Sequence, residues 1–211
     1  MPERMRALPL TETGFPVLFF AGTVDGKPDL RVMDAAKWSL CVKRRLCWLC
    51  GQPLGRYLAW PIGPMCLVNR VSQEPPNHRE CAEYAMRACP FLSRPHMHRR
   101  TAGLPEEASF MGVGIDRNPG VSVLWVAREY TVFKAHAGGG GALIRLGAPV
   151  EIVWYAEGRL ASVAEIHRSL DSGLPLLRAM AAKDGADSMA ELERQIKAAM
   201  LLVPRRAEAV A

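Results

Sequence analysis

Two short stretches carry the side chains best suited to chemistry: CWLCGQPLG at 47–55 and PPNHRECAEYA at 75–85. The first sets Cys47 and Cys50 three apart and follows them with Gly51. The second sets His78 and Cys81 three apart. A Cys-x-x-Cys-Gly run makes a tight knuckle, because glycine lets the backbone turn back and aim amide N–H groups at thiolate sulfurs. Two residues at i, i+3 on the first turn of a helix project from one face. Zinc takes four N/S ligands in a tetrahedron, and three Cys with one His is a usual structural set. The spacing therefore predicts one Zn²⁺ held by Cys47, Cys50, His78 and Cys81.

The other three cysteines are weighed against that set. Cys89 lies eight residues beyond Cys81, about 12 Å along a helix axis, too far for both to bind one ion. It reads as a small buried hydrophobe. Cys41 precedes the knuckle on a helix and is expected to pack inward. Cys66 is the rival to His78; a helix start places a ligand more rigidly than a strand interior, which favours His78. Four good ligands argue for a closed, structural site, since a catalytic zinc keeps one position open. A knuckle, a hairpin and a helix with ligands on its first turn also resemble a treble-clef finger, over roughly residues 47–89. Treble clefs include the His-Asn-His nucleases, but the strand RYLAW at 56–60 has no His. The deaminase pattern His-x-Glu with Pro-Cys-x-x-Cys is missing too. No catalytic residue is assigned at this site.

Several elements must position the ligands. The run FPVLFFAGTVDGKPDLRVMD reads as a hairpin about Asp25-Gly26, and Asp34 as the N-cap of a helix through about Arg45. Trp38, Cys41 and Val42 lie on its inner face. After the knuckle, RYLAW, PIGP and MCLVNR read as a second hairpin. Asn77 is then expected to cap a helix, with Glu80 completing a capping-box-like pair. Cys81, Tyr84, Ala85, Ala88 and Cys89 form its apolar stripe, and Pro90 ends it. Residues 93–120 read as a loop or linker. VSVLWV, YTVFKA, ALIRLG and VEIVWY read as an antiparallel β-meander, and the rest as helices, with Ser162/Glu165 and Ser188/Glu191 as capping boxes. LPLLRAMAA reads as a short helix of its own. Met189, Leu192, Ile196, Met200 and Val203 form a final apolar stripe. The fold class is α+β: an N-terminal hairpin and basic helix (1–46), a zinc-binding treble-clef segment (47–92), the linker, and the meander with C-terminal helices (121–211).

Charge is unevenly spread. Residues 37–100 carry eleven Lys and Arg against three Glu, a net +8, while the flanking segments are each −1. A local positive field favours an anionic partner, nucleic acid being the commonest. Lys43, Arg44, Arg45, Arg56, Arg70, Arg99 and Arg100 are the candidate phosphate contacts. His96-x-His98 beside Arg99-Arg100 reads as a solvated basic loop. In WYAEGR at 154–159 a turn with a salt bridge is the plainer reading of Glu157 and Arg159. An enzyme site between finger and sheet would use Glu157 or Asp171. No apolar run approaches the ~20 residues of a membrane helix. The run Phe15–Ala21 falls short of a secretory core with its cleavage site. A cytoplasmic location, with thiols kept reduced, is expected.

Taken whole, the chain resembles an uncharacterised family of bacteriophage and prophage proteins. The resemblance rests on GKPDLRVMD at 26–34, LCWLCGQPLG at 46–55, IGPMCLVNR at 62–70, EPPNHRECAEYAMRACPFL at 74–92 and WYAEGR at 154–159. It implies a phage accessory protein with an embedded zinc finger, acting in the bacterial host cell, and transfers no catalytic residue. Binding to nucleic acid is the leading expectation. Inhibition of a host protein is the second, and an enzyme the third.

Overall fold

The N-terminal hairpin closes on Asp25-Gly26, whose φ angles are 50° and 77°, the left-handed pair that a two-residue type I′ turn needs. It joins β1 (Ala21–Val24) to β2 (Lys27–Met33) in an antiparallel ribbon. Asp34 then caps α1 (Ala35–Arg44), accepting the amides of Ala36 and Lys37 at 2.8 and 3.0 Å. Trp38 and Cys41 on this helix are buried in the main core. The computed structural model describes residues 1–94, 97, 102–104, 118, 120–134 and 141–205. Most of the expected linker, including His96, His98, Arg99 and Arg100, lies outside the described residues.

The second expected hairpin does not form. β3 (Leu58–Ile62) is followed by a helix, α2 (Pro64–Asn69), and only then by the two-residue β4 (Val71–Ser72). Pro64 sits in the first helical position, where its fixed φ suits a helix and its missing N–H costs nothing. Met65, Leu67 and Val68 are all buried. A short apolar run that is covered on most sides carries no period by which strand and helix can be told apart.

The four later strands form where expected: β5 (Ser122–Ala127), β6 (Tyr130–Lys134), β7 (Ala142–Leu146) and β8 (Pro149–Ala156). They are not one meander. With β9 (Arg159–Leu160), they divide between two antiparallel sheets, ordered β3-β5-β8-β9 and β4-β7-β6. All six residues of β5 are buried, so it takes a central place between two neighbours. The chain leaves that sheet after β5 and returns to it at β8. At that crossing a Cβ on Gly147 would come within 2.5 Å of the Glu129 carbonyl oxygen. There the Trp125 indole N–H donates to the Gly147 carbonyl at 3.1 Å.

The ligand-bearing helix is α3 (Arg79–Ala88), followed by the single turn α4 (Pro90–Ser93). Cys81, Ala82 and Met86 make its buried stripe. Ser162 and Glu165 form the expected capping box and open α5 (Val163–Lys183). LPLLRAMAA is no separate helix but the second half of α5, which runs through Pro175. Gly173 lets α5 pack on α2, since a Cβ there would meet Met65 Cε at 2.7 Å. α6 (Ala186–Met200) starts at Gly185, whose φ of 101° suits the reversal from α5. That start precedes Ser188, so the second capping box does not form, and Glu191 pairs with Arg194 instead. Leu192, Ile196 and Val203 of the final stripe are buried, whereas Met200 is 40% exposed. One hydrophobic cluster runs from Trp38 to Val203 and takes in residues of α1, β3, α2, both larger sheets, α5 and α6.

The Arg159 guanidinium and the Ser162 cap hold the Glu165 carboxyl down to about 2, against an ordinary value near 4.5. Its stabilisation is therefore present above the ordinary value and lost as pH falls toward 2. After screening at this surface the contribution is about 1 kcal/mol. Glu165→Gln should lower Tm at neutral pH and converge with the parent at the acid end. Thermal melts across that pH range would show the convergence, and a constant gap would contradict it.

Candidate metal centre

The knuckle is built by backbone first. The Cys47 amide donates to the Gln52 carbonyl and the Gly51 amide to the Cys47 carbonyl, each at 2.8 Å. Gly51 has φ 75°, and a Cβ there would lie 2.6 Å from the Phe19 ring. Both facts demand glycine. The Phe19 amide reaches back to the Leu49 carbonyl at 2.9 Å, so the segment before β1 clamps the knuckle.

Asn77 does not cap α3 as expected. It is fully buried and braces the knuckle. Its Oδ1 accepts the Leu49 amide at 3.1 Å, and its Nδ2 donates to the Ala59 carbonyl at 3.3 Å. Its backbone exchanges two further hydrogen bonds with Ala59, at 2.8 and 2.9 Å. One residue thus ties the first ligand pair to β3. His78 takes the N-cap position in its place, one residue later than the sequence suggested.

His78 and Cys81 still share a face. The Pro53 carbonyl can only accept, so His78 Nε2, 3.0 Å from it, carries the proton. In the neutral form that a metal binds, the lone pair on Nδ1 would face Cys50 Sγ at 3.4 Å and Cys81 Sγ at 3.9 Å. A hydrogen bond fixing the tautomer of a ligating His is the usual support for a metal site. The His78 amide points at Cys47 Sγ at 3.5 Å. All four ligand atoms lie within 4.8 Å of one another. A tetrahedron with Zn–S of about 2.3 Å and Zn–N of about 2.0 Å has edges of roughly 3.5–3.8 Å. The donor set suits that ion, and the distances from His78 Nδ1 to Cys50 and Cys81 Sγ, 3.4 and 3.9 Å, lie close to those edges. Among the described residues this is the one group of three or more such side chains close enough to hold a metal.

The electrostatics agree with a cation site. Hydrogen bonds, first from Cys47 and then from Cys81, pull Cys50 down strongly. Bonds with Cys47 and Cys50 push His78 up to about 10. Cys81 is driven up, first by its bonds with Cys47 and Cys50 and then by burial. Cys41, set apart in the core, is pushed up to about 12, chiefly by burial. The four ligands are between 0 and 7% exposed, and Met5, Leu8, Leu18 and Leu54 pack around them. Cys66 sits on α2, against the main core and apart from the group. Cys89 ends α3.

The remaining candidates are scattered. Lys43 and Arg44 end α1, and Arg45 follows in the left-handed conformation. Lys43, Arg44, Arg45 and Arg56 are exposed. None has a carboxylate within 4 Å among the described residues. Arg70 is half-buried, with its guanidinium 5.9 Å from the Trp125 ring centre. Glu157 occupies the β8–β9 turn at φ 52°, with Arg159 at 3.8 Å. Asp171 is on the surface of α5. Sequence reasoning missed the role of Asn77, for which the only signal was its place immediately before His78. No helix of the described residues is long and apolar enough to cross a membrane. Comparison with protein-family models, with curated proteins and with solved structures returns no match.

Asn77→Ala should leave the buried Leu49 amide unsatisfied and cost about 1–3 kcal/mol. Metal affinity should fall about 10–100-fold, as when a ligand's supporting shell is lost. Chemical denaturation and competition with a coloured chelator measure the two effects. Unchanged affinity would mean that Asn77 does not position the knuckle.

Proposed function

We propose that Cys47, Cys50, His78 and Cys81 hold a structural Zn²⁺, and that the protein is a zinc-stabilised binding protein contacting nucleic acid through the basic surface beside the site. The observation that carries the first half is the closed, buried set of three thiols and one imidazole within 4.8 Å. The ligand frame is treble-clef-like: knuckle and helix start supply the pairs in that order, with β3, α2 and β4 where the hairpin would stand. The second half is supported by the exposed cations Lys43, Arg44, Arg45 and Arg56, which lack carboxylate partners among the described residues. A role as a phage accessory factor is consistent with such a surface. Basic side chains also complement the carboxyl end of α1, so charge alone does not identify the partner.

Zinc should co-purify at one ion per chain. Chelation should remove about 10 kcal/mol of apparent binding free energy from the fold. Because β3 and the knuckle belong to the same core as the C-terminal helices, the loss should be global and visible in far-UV circular dichroism. Full zinc occupancy by native mass spectrometry in the Cys50→Ala, Cys81→Ala double variant would overturn the site.

Affinity for DNA or RNA should fall steeply with salt, since each phosphate contact releases counterions, with a slope of about 0.9 per contact on duplex. Changing Lys43, Arg44, Arg45 and Arg56 to Glu should abolish the shift while zinc content persists. If the parent protein binds neither DNA nor RNA at low salt, inhibition of a host protein becomes the reading to pursue.

A further inference from the structure

A groove of about 700 Å³ opens between the metal-binding segment and the end of the β3-β5-β8-β9 sheet. Resting on the nucleic-acid reading above, we propose that this groove binds a single strand, with an unpaired base stacked at Tyr57 and phosphates held by Arg56 and Arg128.

The sheet register puts these groups together. Leu58 pairs with Ala127, so Tyr57 and Arg128 are the next positions beyond that pair on adjacent strands. The Arg128 guanidinium lies 5.6 Å from the Tyr57 ring centre, and that of Arg56 lies 5.9 Å away. Both are within the range at which a cation is attracted to a ring. Tyr57 is nonetheless 49% exposed, and Val150, which also lines the groove, is 49% exposed. An exposed aromatic ring held in place by two cations has little rotamer freedom left to lose on binding.

Charge decides what the groove accepts. Its two acidic groups are already occupied. Arg79 engages Glu151 through two hydrogen bonds, at 2.7 and 3.0 Å, and Arg4 engages Glu80 at 2.9 Å. Arg56 and Arg128 have no carboxylate within 4 Å among the described residues. The groove therefore carries two uncompensated positive charges around one aromatic ring. Arg45 adjoins the groove through the chain, its carbonyl accepting the amide of the lining residue Leu54 at 2.8 Å. Cations along a groove with an exposed aromatic ring are the components of single-strand recognition, in which every base offers a face to stack. A duplex keeps its bases inside and would meet only the cations.

The test uses the full zinc-bound chain, a short oligothymidylate carrying a fluorescent end label, and a duplex of the same length. Tyr57→Ala should weaken single-strand binding about 5- to 150-fold, the loss of one stacked base, and duplex binding by less than about 2-fold. Tyr57→Phe should keep the parent affinity. Arg128→Gln should lower the single-strand salt slope by about 0.7, and it decides the matter if Tyr57→Ala fails to fold. Equal losses on both probes, or no loss with Tyr57→Ala, would overturn the groove while leaving nucleic-acid binding in place. Failure of the parent protein to bind either probe at low salt would overturn both.

Discussion

Three buried thiols and an imidazole crowded within 4.8 Å are a poor arrangement unless a cation lies among them. Without one, they compete for protons in an apolar surround, and not all four can take the form each would adopt alone. A divalent ion removes that conflict, because thiolate is the form it binds. The rest of this half of the molecule is arranged so that the four groups cannot separate to relieve the crowding. Phe19 closes on Gly51, and Asn77 ties the knuckle to β3. The Pro53 carbonyl holds the imidazole, and Met5 packs with the ligands from the N-terminal turn.

The helix that bears two of the ligands is fixed in turn by the sheet. Arg79, the first residue of α3, forms its double hydrogen bond to Glu151 on β8. Glu83 accepts the Tyr155 hydroxyl at 2.6 Å and pairs with Arg79 and Arg87. Ala82 and Met86 pack with Ala59, Leu124 and Val126. These ion pairs are partly exposed, so each contributes modestly to stability. Their effect is on direction. They set the rotation of α3 about its axis, which keeps Cys81 turned toward the knuckle and away from solvent.

Much of this was legible because short-range chemistry decided it. Asp25-Gly26, Asp34 and Ser162/Glu165 are local signals, and each produced the turn or cap that it specifies. The paired ligand spacing was legible for the same reason. Where the reading failed, a distant partner decided the outcome. MCLVNR folds as a helix because its apolar residues are covered from several sides, so no period exposes its choice. The meander splits because β5 is buried along its length and needs β3 as well as β8. A β3 pairing from another part of the chain leaves no local mark. Ser188/Glu191 has the right spacing for a cap, but the reversal at Gly185 starts the helix before it.

Charge shows the same division between counting and geometry. The excess of +8 in residues 37–100 overstates the free positive field, because Arg79 is paired with Glu151 on β8 and Arg87 with Glu83 on its own helix. It also misses a cation. Arg128 comes from a segment that is nearly neutral overall, and the antiparallel register carries it to the side of Tyr57. A guanidinium spent on a carboxylate adds little to an outward field, whereas one resting on an aromatic ring keeps its full charge and gains a fixed position. On the single-strand proposal, the groove's selectivity comes from where its cations are held, and their number along the chain is a weak guide to it. Orientation by the sheet turns a diffuse basic segment into a track with one ring at which a planar group can stop.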